Sequence, residues 1–588
     1  MVSGTVLDEA NKTPLPGVNI MVKGDNQIGT STATDGSFSL EVPSLEDTLV
    51  VSFIGFQTRE IPIQGRTNLE VVLQAQAIEG DDVVVTAFGV ERETRSLSYS
   101  TEGVETESLT KARELNVMNS LQGKVAGLSI NEGGAGVGSD SRVVLRGNRS
   151  ISGSNEPLYV IDGVPIRGSF NEISPDNIAS MNVMKGPNAA ALYGSDAQDG
   201  AIIIETNRGQ RNEIQISLDN TVQVGRPIHS ISVQNQYGQG VSGQYDASSE
   251  ESWGPPLDGR MVDHWSPDPE LAGEQYAFEP QPDNIKDFFD TSVNVSTSIN
   301  ASIGSENTTT TFSYTRTDAS GMVPNNSLAR NNAALRVNSD LTGWLSLDAK
   351  IDYMNQSRDN PLNTGDGDDF NPFRNIYILP RNIAHDQYKQ YEYVTESGIT
   401  RQNFWNPGST TGKNPYWTMY RQQRLQDSER VLGMGSLTAH FTDNLSLLVR
   451  TSFDVGHSSQ ERKVYYDSYG SAYAQGQYAV NKNDSRFINS DFLLTYDKQV
   501  NEMWNVDLNL GGSLQKNVGE QYGSLSANTT QRLLVPNFFT LSNTQFPAAS
   551  FSPDAETETQ SLYFSGRIGW NEALYLDLTG RNDWSSTL

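Results

Sequence analysis

Gly133-Gly134-Ala135-Gly136-Val137-Gly138 is the first stretch whose residue types could do chemistry, because closely spaced glycines let backbone amides cradle a phosphate. It lacks the Gly-Lys-Ser/Thr ending of a phosphate-binding loop and does not fit G-x-G-x-x-G, so it reads as a flexible turn. His229, His264, His385, His440 and His457 are scattered with no zinc spacing. The segment Asp366-Gly367-Asp368-Asp369 could hold calcium through oxygen ligands, but it misses the EF-hand spacing, and a hydrated turn is the plainer reading. There is neither an H-E-x-x-H pair nor a G-x-S-x-G elbow. No catalytic residue, metal centre or other cofactor is therefore expected, and the chain does not read as an enzyme. Aromatic faces remain: Phe404, Trp405, Tyr416, Trp417 and Tyr420 cluster in NFWNPGSTTGKNPYWTMY, with Trp253 and Trp265 earlier. Rings beside amides and carboxylates suit sugars, whose CH groups pack on the ring while the amides bind hydroxyls. Trp405, Tyr416 and Trp417 are the candidate substrate contacts, although loop packing and aromatic girdles use the same residues.

The elements that must position these residues are β-rich. Only 36% of the 588 residues are hydrophobic, and Gly (51) and Tyr (23) are plentiful. No run approaches the roughly 18 apolar residues a membrane helix requires, so a membrane-spanning form would have to be a closed β-barrel. A formal charge of -29 disfavours nucleic acid as a partner. With no cysteine, disulfide frameworks and thiolate metal sites are excluded. The sequence opens directly on VSGTVLDE, so the targeting segment of an exported protein is expected outside it.

Residues 1–75 hold short alternating runs, VSGTVLD, GVNIMVKG, GSFSLEVP, TLVVSFIG and NLEVVLQ, between Pro-Gly, Asp-Gly and Gly-rich turns. This spacing predicts a small β-sandwich. The phrases Pro16-Gly17-Val18-Asn19-Ile20, Thr34-Asp35-Gly36-Ser37-Phe38 and Val51-Ser52-Phe53-Ile54-Gly55-Phe56 resemble the carboxypeptidase-regulatory-like domain. Residues 76–95 read as a linker carrying Asp82-Val83-Val84-Val85-Thr86-Ala87-Phe88. Alone, such a run is a strand like any other.

Residues 96–210 alternate strand-like runs with two helical stretches, which suggests a compact α+β unit. Four phrases stand out: LQGKVAGL (121–128), the glycine turn 133–139, VVLRGNRSISGSNEPLYVIDGVPI (143–166) and VMKGPNAAALYGSDAQDGAIIIETNRG (183–209). In this order they resemble the plug domain of SusC/RagA-type TonB-dependent outer-membrane transporters. The resemblance singles out Gly123, Gly127, Arg146, Gly147, Asp162, Gly163, Gly186, Tyr193 and Gly194, and it makes Asp82 to Phe88 the family's TonB box. Asp196, Gln198 and Asp199 depart from the family's usual basic residue and Asn.

From 211 to 588 the pattern becomes long strands of alternating polarity. Ile214, Ile216, Leu218, Val222 and Val224 share one face, as do Val293, Val295, Ile299 and Ile303. Short turns at 304–307, 340–343, 442–444, 499–502 and 571–572 alternate with long polar stretches at about 225–290, 357–428, 457–487 and 516–558, as outer-membrane barrels do. About eleven such strands can be counted, whereas large plugged barrels use around twenty-two, so the sequence is expected to cover the first part of a barrel.

The expected fold is therefore mainly β: an N-terminal sandwich, an α+β plug and part of a transmembrane antiparallel barrel. The resemblance implies TonB-dependent import of a glycan oligomer or peptide across the outer membrane of a Gram-negative, Bacteroidota-like cell. The sandwich and plug would then lie on the periplasmic side. Implied partners are TonB with its inner-membrane energising complex, a SusD-like lipoprotein, the cargo and outer-membrane lipid. A signal-transducing receptor and a non-transporting glycan-binding surface protein are the alternatives.

Overall fold

The computed structural model describes the chain apart from residues 9–11, 24, 54–55, 57–58, 74–82, 86–90, 94–100, 106–113, 135, 151–154, 167–173, 229–230, 365–369, 406–412, 469–474, 502, 525–531, 546–549, 552–554, 572 and 588. It divides into two compact units: Met1–Val83 with Glu93–Arg95, and the remainder.

In the first unit the alternating runs form two sheets. Val2–Asp8 lies between Ser37–Leu40 and Asn68–Leu73, while Asn19–Val22 lies between Asp25–Ser31 and Thr48–Ser52, with Arg59–Pro62 at the edge. Every second residue of Thr48–Ser52 is buried, the signature of a strand with one wet face. Val6, Ile20, Leu49, Val51, Leu69 and Val71 meet in a single apolar core. The sequence-expected sandwich is present.

In the second unit, five strands form a mixed sheet in the order Thr101–Glu105, Ile178–Met184, Ala201–Thr206, Leu158–Ile161, Val164–Ile166. Both faces are covered, so Ala201–Thr206 reads as a continuous buried run without alternation. Two apolar clusters fill the space above and below it. A separate hairpin pairs Leu128–Glu132 with Ser141–Leu145.

Around this domain runs a continuous antiparallel sheet of eleven strands in chain order: Ile214–Gly225, Ser292–Gly304, Thr308–Ser320, Ser327–Thr342, Leu345–Asp359, Gln422–Thr442, Leu445–Val464, Gln477–Asn501, Trp504–Ser524, Ala555–Trp570 and Leu574–Ser585. Ser550–Phe551 adds a short pairing beside the ninth. The first and eleventh strands are not paired to each other. Register places Ile216, Ala301, Phe312, Leu335 and Ile351 in one row across five strands, all on one face. Most of that face is apolar and open: Ile216 is 73% exposed, Phe312 46% and Leu562 51%, as a lipid-facing surface requires. Trp344, Phe441, Trp504 and Trp570 are exposed near the short turns, in the place of an interfacial aromatic girdle. No helix among the described residues is long and apolar enough to cross a membrane, which says nothing of strands.

Two loops are shorter than the sequence suggests. The strands flanking them continue to Val464 and Gln477 on one side and to Ser524 and Ser550 on the other. Where both faces of a ladder are wet, polar residues satisfy either side and backbone pairing carries on without apolar alternation.

Candidate functional site

The plug hairpin Leu158–Ile166 turns on Asp162 and Gly163, with Ile161 paired to Val164 across a two-residue loop. Their φ values of 48° and 78° are those of a type I′ turn, which Asp-Gly adopts readily. The turn brings the Asp162 carboxylate against the inner wall of the barrel sheet. It accepts hydrogen bonds from the Thr206 amide (3.0 Å) and hydroxyl (2.7 Å), from Arg336 Nη1 (2.9 Å) and from Lys350 Nζ (3.1 Å). The carboxylate is buried, which alone would raise its pKa, but Lys350 and Arg336 outweigh that and hold it below the ordinary carboxylate range.

The wall residues are themselves paired. Arg336 makes a two-pronged contact with Asp348 at 2.9 and 2.6 Å, and Lys350 reaches Asp352 at 2.9 Å. Arg450 grips Asp491 at 3.1 and 3.0 Å and donates to the Asp162 carbonyl at 3.0 Å. A Cβ on Gly163 would come within 2.2 Å of Arg450 Nη1, so this turn needs glycine for contact as well as for conformation. Beside the cluster, Glu205 is buried with Oε1 unpartnered. Burial, reinforced by the charge of Asp162, pushes its carboxyl up to about 7.

Other plug features meet the same wall. Val137 and Gly138 dock on this wall: the Val137 amide donates to Asn326 Oδ1 at 2.8 Å, and Arg358 donates to the Gly138 carbonyl. The glycine at 138 follows from close approach, since a Cβ on Gly138 would lie 2.3 Å from Leu328 Cδ1. Asp176 accepts from Ser298, and Ser174 lies 3.1 Å from the Thr315 hydroxyl. A polar cavity of about 370 Å³ separates this edge of the plug from the first five barrel strands.

The structure groups the sequence-chosen plug residues in three places. Gly127 and Arg146 close the base of one hairpin, where the Arg146 amide donates to the Gly127 carbonyl at 2.8 Å, and the Arg146 guanidinium lies beside Gly186. Gly123 and Gly147 lie in turns near that hairpin's ends. Asp162 and Gly163 form the wall contact, and Tyr193-Gly194 abuts Arg581 and Asp583 of the eleventh strand. Asp196 and Gln198 are exposed. Arg336, Lys350, Arg450, Asp491 and Glu205 escaped the sequence reading. The signal for the wall residues was a charged side chain between apolar neighbours, as in Leu335-Arg336-Val337 and Ala349-Lys350-Ile351.

Of the box segment, Val83–Val85 form a short strand in a two-stranded sheet with Glu91–Glu93. Asp82, Thr86, Ala87 and Phe88 lie outside the described residues, as does Asp366 to Asp369, the calcium candidate.

The aromatic loop residues take a different position from the expected ligand-facing one. Trp405 (1% exposed), Tyr416 (5%) and Trp417 (0%) are buried. Trp405 and Tyr416 join Trp265, Phe288, Tyr388 and Phe404 in a core shared by the two longest loops. Trp417 donates to Ser468 at 2.9 Å. Asn414 caps the helix Pro415–Arg421 and ties it down, accepting from the Tyr416 amide (2.9 Å) and donating to the carbonyls of Tyr388 (2.7 Å) and Asn403 (2.9 Å). Rings too large to leave wet in so long a loop have built a core of their own, and in this geometry they offer no face to a ligand.

Comparison with known proteins agrees with this architecture. Residues 2–85 match the CarboxypepD_reg-like domain family, and residues 93–201 match the TonB-dependent Receptor Plug Domain. TonB-dependent receptor P39 of Formosa agariphila is 32% identical over 42% of this chain and 24% of its own length. TonB-dependent receptor SusC of Bacteroides thetaiotaomicron is 32% identical over 44% of this chain and 25% of its own. The RagAB peptide importer in its open-open state aligns with 86% of this chain and 56% of that chain at a TM-score of 0.66 and 19% identity, a likeness of fold. The aligned regions thus span about a quarter of the curated relatives and just over half of the solved chain. The two domain families in sequence, the likeness to SusC and the fold shared with RagAB together support a SusC/RagA-type TonB-dependent receptor.

Proposed function

We propose that the full-length protein imports a nutrient too large for porins, a glycan oligomer or a peptide, across the outer membrane under TonB control. The observation that carries this reading is the buried charged contact of Asp162 with Arg336, Lys350 and Arg450, which fastens an internal domain to the barrel wall as a closed gate. An outer membrane has no ATP and sustains no ion gradient, so the work of opening arrives mechanically. The segment Asp82 to Phe88 is the handle, presenting strand edges to which TonB adds a strand of its own. The sandwich and plug then face the periplasm, and the long loops face outward, where a SusD-like lipoprotein would help capture cargo. SusC is a TonB-dependent receptor and RagAB a peptide importer, and these names support the class without choosing the cargo. Receptors and transporters of this family are not enzymes, in keeping with a site built for holding and releasing.

The test is uptake of size-graded oligosaccharides and peptides by cells expressing the full-length protein. Uptake of at least one series above the porin limit should occur and should stop when the proton gradient is dissipated. Uptake indifferent to the gradient, or a protein recovered in the soluble periplasm, contradicts it.

A further inference from the structure

The plug sheet has two unlike edges. At one, the hairpin Leu158–Ile166 is fastened to the barrel wall through Asp162. At the other lies Thr101–Glu105, the first strand of that sheet to follow the Asp82 to Phe88 segment, paired among the described residues to Ile178–Met184. This edge strand is five residues long, Gly103 contributes no side chain, and Val104 is its member of the apolar core. Glu102 shares the face of Val104. Its Oε2 meets Lys185 Nζ at 2.5 Å and accepts from the Ala126 amide at 3.0 Å, so one carboxylate joins the edge strand to the end of its partner strand and to the turn before Leu128–Glu132. The Lys185 side chain is 7% exposed, and its ammonium is ion-paired with Glu102. Separating the strands therefore strands a buried ammonium without its counter-charge, which is costly. The Lys185 hydrogen bond is also the main cause that lowers the Glu102 pKa, so this carboxylate stays charged at neutral pH.

We propose that Glu102 is the latch of the gate, a positioning residue that keeps the edge strand in the plug sheet until force from the Asp82 to Phe88 segment breaks its grip on Lys185. The proposal rests on the import reading for the origin of the force. Pulling on the handle loads this strand first, while the far edge stays on the wall. The gate then opens by losing its first strand, and the hairpin at Asp162 keeps the rest of the plug in the barrel.

The experiment is hydrogen exchange on the detergent-purified full-length protein, comparing wild type, Glu102→Gln, Lys185→Met and the charge-exchanged pair Glu102→Lys with Lys185→Glu. Glu102→Gln keeps an acceptor for Ala126 and loses the charge, and Lys185→Met repeats the test should that variant fold poorly. Loss of a charge-assisted hydrogen bond should speed exchange of the 101–105 amides by roughly tenfold or more. Amides of Leu158–Ile161 should keep wild-type rates, and the exchanged pair should recover much of the protection. In single-molecule pulling through residue 84, the first opening should come at lower force in both single variants. Unchanged exchange at 101–105 overturns the proposal. Equal acceleration in every plug strand also overturns it, because the pair would then be a general stabiliser. Neither readout uses TonB or cargo, so a failed latch leaves the import reading standing, and absent uptake with an intact latch counts against import alone.

Discussion

Arg450 Nη1 donates to the backbone carbonyl of Asp162 at 3.0 Å, joining a barrel strand to a plug turn 288 residues away in sequence. Arg336 and Lys350 complete the contact from two other strands, so the plug is held at a turn whose own geometry already requires Asp-Gly. Asp162→Ala should leave both cations in the seam without this partner, a loss of about 3–5 kcal/mol for a buried pair broken on one side. Asp162→Asn, which still accepts from Thr206, should be milder. Cells carrying the full-length alanine variant should become sensitive to large antibiotics normally kept out, at unchanged surface abundance. Wild-type resistance would show that the contact does not hold the gate.

Glu205 gives the plug a pH dependence of definite sign. Its folded pKa is raised to about 7, so between the ordinary carboxyl value near 4.5 and 7 the folded state binds more protons than the unfolded one. Stability contributed by its neutral form is complete below that window and is lost as pH rises through 7, on the order of 3 kcal/mol in all. The denaturation midpoint of a probe in the plug should therefore fall between pH 5 and pH 8, and Glu205→Gln should flatten the trend. A wild-type midpoint that rises over this range refutes the assignment.

Much of the architecture was legible in the sequence, and its limits have physical causes. Alternation announced Ile214–Gly225 because one side of that strand meets an apolar surroundings and the other does not. The same logic stopped short along Gln477–Asn501, where polar residues on both faces conceal a ladder that continues. The plug resemblance singled out Asp162 and Gly163, but their partners come from strands far along the chain, and no local spacing connects Asp162 to Arg336. Trp405, Tyr416 and Trp417 carry the same letters whether a ring meets sugar or a loop core, and only packing separated the two.

Asn414 should matter to the outer loops alone. Asn414→Ala removes a helix cap and two buried hydrogen bonds, a local loss of about 2–4 kcal/mol. Limited proteolysis should cut within residues 360–421 much faster, while the barrel keeps its heat-modifiable mobility. Unchanged loop cleavage would mean that this network does not order the loops.

The outward face of the sheet makes a depth-dependent prediction. Phe564→Arg, on a half-exposed apolar position of the tenth strand, should cost about 2–4 kcal/mol in lipid if it lies near the midplane. Leu574→Arg, at the start of the eleventh strand next to the short turn, should cost far less. Folding titrations of the full-length protein into vesicles check this, and equal costs at the two positions would place the lipid band elsewhere.

In the proposed import cycle force enters through Asp82 to Phe88, and a proline within that run should interrupt it. A proline removes a backbone donor and fixes φ, so it should block strand addition more than a side-chain change does. In the full-length protein, Val84→Pro or Val85→Pro should abolish uptake of the cognate nutrient while surface abundance and cargo binding persist, and Val84→Ala should be mild. Surface level, binding and uptake are to be measured separately on the same cells. Normal uptake by both proline variants, or their loss from the surface, would contradict the account.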